Sequence, residues 1–178
     1  MSDLTQKLQP GRLSGATSAV KDALGGAVAL GKAAVGITRH QFTTQAAIAN
    51  LYELAAADIA LRRAQRHDVK EFARAMKADH EKIGSELNSF LGATNSPQWP
   101  PQELDTVHQT LIDDLNAADR EDFDRLYIEQ QLLAHQEAIT LFRVYRNRGR
   151  DDGMRSLAGL ALPVLEKHLD MVRELEAA

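Results

Sequence analysis

The stretch VKEFARAMKADHEKIGSELNSFLG, residues 69–92, decides the fold. Its apolar residues Val69, Phe72, Met76, Ile83, Leu87 and Phe90 recur at steps of three and four, the repeat of one helix face. No strand-like alternation competes with that repeat. Asp68 stands where an N-cap is expected. Beyond Gly92, Pro97, Pro100 and Pro101 forbid continuation of the helix. One residue interrupts the stripe: His80 lies four after Met76 and three before Ile83, on the seam itself.

The same repeat extends in both directions. Upstream, from Thr38, it runs through Phe42, Ala46, Ala49, Glu53, Ala56 and Ala60 and ends near Arg66. Downstream, Pro101 suits the first position of a new helix, with Leu104, Val107, Leu111 and Leu115 on one face. Asp119 reads as a fresh cap, which places a bend near residues 116–119. The continuation carries Phe123, Tyr127, Ile128, Gln131, His135, Ala138, Phe142 and Tyr145 and stops at Gly149. Asp151 or Asp152 caps a last helix bearing Leu157, Ala161, Val164, His168, Met171 and Leu175, with Pro163 as a kink point. The expected architecture is all-α: an antiparallel up-down four-helix bundle over residues 38–178 with a bent third helix. Residues 1–37, rich in Gly, Ala, Ser and Val, form an N-terminal arm or weak helix before it.

Composition narrows the function classes. The 178 residues suit one domain with a core of its own. Twenty-five acidic against 21 basic side chains leave a net charge of −4, which argues against nucleic-acid binding. No cysteine is present, so thiol catalysis, thiolate zinc sites, iron–sulfur clusters and disulfides are excluded. Lys21, Asp22 and Lys32 break the apolar run of the arm, so no clear signal peptide is read there and the cytoplasm is open as a location. The arm is also the segment where membrane or partner contact would fall.

Each of the four amphipathic stripes is interrupted near its middle by a side chain that can ligate metal: Glu53, His80, His135 and His168. Glu53 lies about thirteen residues before the first turn and His80 about thirteen after it, or about 20 Å from that end at about 1.5 Å per residue. His135 and His168 flank the Gly149 turn in the same manner. Docked in register, the two hairpins bring all four to one layer. A carboxylate buried in an apolar core costs several kcal/mol or protonates. Three imidazoles deepen that cost unless each nitrogen finds a partner. A single divalent zinc, iron or manganese ion per chain answers it, since three neutral imidazoles and a carboxylate are ligands such ions accept. The competing structural explanation is a metal-free polar network that fixes helix register. Gln131, one turn before His135, is placed to orient it or complete the shell. Asp79 points about 100° away from His80 and suits an outer or surface role. No dedicated base or nucleophile names a reaction.

The blocks Asn50-Leu-Tyr-Glu53-Leu, Met76-Lys-Ala-Asp-His80, Phe123-Asp-Arg-Leu-Tyr127 with Ala134-His135, and Leu162-Pro163 followed by His168-Leu169 resemble the bacterial ferritin-like family catalogued as domain of unknown function 4142. The resemblance covers about residues 39–176. It implies a four-helix bundle, often exported to the periplasm, with the family's acid and histidines falling on Glu53, His80, His135 and His168. Paired-iron ferritin chemistry is disfavoured: that site needs Glu-x-x-His motifs, and Leu132 and Leu165 occupy the glutamate positions before His135 and His168.

Overall fold

A computed structural model describes residues 37–96 and 99–178. Apart from Ile37, the arm expected over residues 1–37 lies outside these. The described residues form five helices and no strand: α1 (Arg39–Arg63), α2 (His67–Ala93), α3 (Thr106–Ala117), α4 (Phe123–Arg148) and α5 (Asp152–Ala177). No helix among them is long and apolar enough to cross a membrane. The long helices pack as two hairpins, α1 on α2 and α4 on α5. The hairpins meet through α1 on α4 and α2 on α5, while short α3 lies against α1 and α4.

The start of α1 follows from local chemistry. Thr38 accepts from the Gln41 N–H while the Gln41 side chain takes the Thr38 N–H, a reciprocal capping box. The next helix departs from expectation. Its N-cap is Arg66 and not Asp68. Asp68 lies inside the first turn, paired with the Arg66 guanidinium at 2.7 Å. The turn's amides are satisfied from a distant helix: the Asp124 carboxylate on α4 accepts from the N–H groups of Gln65 and Arg66 at 2.8–3.1 Å.

The expected third helix is two helices, and its start is also displaced. Thr106, not Pro101, opens α3, because Asp105 supplies what proline cannot: a side-chain oxygen accepting from the His108 N–H at 2.8 Å. Residues 118–122 then separate α3 from α4, so the bend is a full break. The guanidinium of Arg63 on α1 donates to the carbonyls of Leu115, Asn116 and Ala118. Those are carbonyls that a helix end leaves without partners, so an outside cation lets α3 stop there. Asp119 does not cap α4; Asp122 holds that position without a side-chain capping bond.

The α4–α5 turn forms as read. Gly149 ends α4 in extended conformation, and a Cβ there would lie 2.7 Å from the Tyr145 ring and carbonyl oxygen, so close approach demands glycine. Asp151 caps α5 by accepting from the Met154 N–H at 2.9 Å and ties to Arg39 at 2.8 Å. Pro163 lies on the exposed side of α5, which continues past it. The buried face of α5 is turned from the expected one: Leu165, Leu169 and Val172 join Ala161, His168 and Leu175, while Val164 and Met171 are only half-buried.

Candidate metal centre

Three helices deliver the histidines. α2 carries His80, α4 carries His135 and α5 carries His168, each at most 4% exposed. Their ring centroids are 5.5–6.1 Å apart, and one ring nitrogen of each lies within 4.8 Å of the others.

Every ring is held by one nitrogen and leaves the other free. His135 Nδ1–H donates to the Gln131 carbonyl oxygen at 2.8 Å, and its Nε2 has no partner. His168 Nε2–H donates to Asp79 Oδ2 at 2.9 Å, leaving Nδ1 unpartnered. His80 Nδ1 faces Asn50 Oδ1 at 3.0 Å, leaving Nε2 unpartnered. A carbonyl or carboxylate can only accept, so those contacts fix the tautomer and place a lone pair on each free nitrogen. Anchoring of one nitrogen while the other is offered is the arrangement of metal-ligating histidines.

Electrostatics favour the ligating form. Burial pushes the His135 pKa down to about 4, against the opposing pull of the Gln131 carbonyl. Burial also lowers His80, as do the neighbouring imidazoles, and burial lowers His168 despite Asp79. All three are therefore neutral at pH 7. An unpartnered buried polar atom ordinarily costs about 1–3 kcal/mol, and each of the three clustered imidazoles carries one.

Glu53 is 4% exposed and lies beside the triad. Its Oε2 accepts from the Gln131 side-chain amide at 2.7 Å, and its Oε1 is 3.9 Å from His135 Nδ1. Burial raises its pKa to about 8, so the carboxyl is mostly protonated at neutral pH. The structure thus gathers His80, His135 and His168 in one group of nitrogens, with Glu53 alongside. Gln131 works twice, through its carbonyl on His135 and its amide on Glu53. Asp79, 38% exposed at its side chain, reaches His168 and not its neighbour His80.

Asn50 is the residue that periodicity passed over. It is buried on the apolar face of α1, and its signal sits on α2: a Cβ at Gly84 would lie 2.7 Å from Asn50 Nδ2. Glycine at that position makes room for the amide that orients His80.

The family described as "Domain of unknown function (DUF4142)" matches residues 27–175. The chain belongs to that family. Two solved structures share the fold. One is CopM in the Cu(II)-bound form, 19% identical over 79% of this chain and 97% of its own, with a TM-score of 0.67. The other is the DUF305 fragment from Deinococcus radiodurans, 15% identical over 76% of this chain and 92% of its own, with a TM-score of 0.66. No curated protein matches. For this DUF4142 protein the likeness establishes the helical fold and leaves chemistry to the residues themselves.

Proposed function

We propose that this protein binds one divalent transition-metal ion per chain and acts in metal handling or stress protection. The ion would sit on His80, His135 and His168 inside an antiparallel bundle of the four long helices. The two mutually packed hairpins support the bundle and its ferritin-like character. The observation that carries the metal site is the set of three buried, unpartnered imidazole nitrogens, each ring anchored through its other nitrogen. Three imidazoles are donors that zinc and iron accept, and within a nitrogen set the general affinity order puts Cu(II) above both and manganese below. The CopM fold neighbour in its Cu(II)-bound form adds copper to zinc, iron and manganese as an ion to test. Glu53 is proposed to act at the fourth position of the shell.

One observation favours a second role, a metal-free layer that fixes helix register. With the histidine pKa values lowered and that of Glu53 raised, the whole layer is neutral at pH 7 and needs no counter-ion. In that case the chain would be a structural or interaction module whose N-terminal arm engages a partner or a membrane.

Elemental analysis separates the two. Protein purified without affinity metals, chelated and then equilibrated with Cu(II), Zn(II), Fe(II) or Mn(II), should retain one ion per chain. His80→Ala and His135→Ala should retain none. Binding should also raise the melting temperature, since an ion at 100 times Kd stabilises by about 2.7 kcal/mol. No retention and unchanged melting with all four ions would leave the scaffold role.

A further inference from the structure

A cavity of about 20 Å³ adjoins the triad. His80, His135, Asn50 and Glu53 supply its polar wall, and Ala49 and Phe142 belong to its apolar one. His168 does not border it, so the space adjoins two of the three rings. Roughly 10–15 Å³ of such volume holds one water, which also needs two or more polar partners. His80 and His135, each with an unpartnered Nε2, and the buried acid Glu53 are among its polar lining residues. The volume therefore suits one water-sized occupant and little more.

We propose that a metal held by the triad keeps one exchangeable coordination position facing this cavity, which admits a single one- or two-atom donor. Water or hydroxide fills it at rest, and a diatomic donor such as nitric oxide displaces it. This rests on the metal site proposed above and specifies how Glu53 acts there: by hydrogen bonding to the cavity ligand. Three protein ligands with a fourth, exchangeable position is the arrangement that separates reactive metal sites from closed structural ones. Selection is by size. Ala49 leaves the space open, while the Phe142 ring bounds it, so exogenous imidazole or acetate does not fit.

The test uses the full chain loaded with one equivalent of Cu(II), with Co(II) as a second probe. In water enriched in oxygen-17, the Cu(II) electron paramagnetic resonance spectrum should show coupling to one exchangeable oxygen, and added imidazole should leave the spectrum unchanged. Ala49→Leu fills the cavity. It should keep one copper per chain and the histidine nitrogen couplings but lose the oxygen coupling. Ala138→Val, at another position of the wall, serves if Ala49→Leu does not fold. Copper bound with no oxygen coupling in the wild type, or a coupling unaffected by both fillings, overturns the open position while the metal site stands. A spectrum remodelled by imidazole overturns the size limit. Failure to bind either probe ion overturns both the cavity ligand and the metal site beneath it.

Discussion

Glu53→Gln should make the alkaline limb of the pH–stability curve shallower in the chelated, metal-free protein. Burial raises the Glu53 pKa from its ordinary 4.5 to about 8, with the Gln131 hydrogen bond opposing. A group whose folded pKa lies above its unfolded one binds its proton more tightly when folded. Its stabilisation is complete below about pH 4.5 and lost as pH rises through about 8. Within that window the loss is about 1.4 kcal/mol per pH unit. The histidines act in the opposite sense. The His135 pKa falls from 6.5 to about 4, so its contribution is present above about pH 6.5 and lost as pH falls toward 4. Between about pH 4.5 and 6.5 the gain from Glu53 and the loss from His135 on acidification oppose each other, so the wild type shows the Glu53 decline most clearly above pH 6.5. Between pH 6.5 and 8 Glu53 alone should weaken it by about 2 kcal/mol. Glutamine keeps the shape without the proton, so the variant should lose the Glu53 share of the alkaline decline and keep the acid loss due to the histidines. Glu137, also raised to about 8 by burial, is present in both proteins and cancels in their difference. Urea unfolding midpoints from pH 5 to 9, in chelator, supply the comparison. Parallel curves above pH 6.5 would refute the claim that Glu53 is buried as a neutral acid.

Three further substitutions test the supports of the site. Gly84→Ala places a methyl 2.7 Å from the Asn50 amide and should destabilise the fold by about 1–3 kcal/mol, read as a lower melting temperature, with metal affinity weakened as His80 loses its anchor. Asp79→Ala removes the acceptor from His168; at a half-exposed position it should cost little stability yet weaken metal binding about 10–100-fold, the usual effect of losing such an outer partner, measurable by competition titration. Asp124→Ala strips the acceptor from the Gln65 and Arg66 amides and should lower stability by about 2–3 kcal/mol while one ion per chain is still retained.

Much of the site was legible because a helix converts sequence spacing into a face. His80, His135 and His168 stand at positions where the three-and-four repeat calls for apolar side chains, and a polar residue on a core seam needs a reason. Glu53 obeys the same arithmetic, yet spacing could not resolve whether its oxygens or the Gln131 amide lie nearer the rings. Asn50 escaped because a small amide beside Ala46 and Ala49 hardly disturbs an apolar face; only the space left by Gly84 across the helix pair reveals it.

The helix ends show the same division. Thr38 and Asp151 cap through neighbours three residues away, so local sequence is enough to place them. Asp68 and Asp119 misled because the groups that set those boundaries include side chains remote in sequence, whereas Pro101 lost its place to a local cap, Asp105. Asp124 satisfies the α1–α2 turn, and Arg63 collects the carbonyls that end α3.

Periodicity alone determined that the described residues are helical, most of the side chains that line their core, and that ligand-type residues interrupt that core at similar heights. The tertiary structure decided which nitrogen of each imidazole is tied down, how the rings converge, and that room for one small ligand lies beside them. Spacing along a helix is set by backbone geometry common to every sequence. Lone-pair direction and empty volume depend on the rotation of one packed helix against another, and no single segment encodes that.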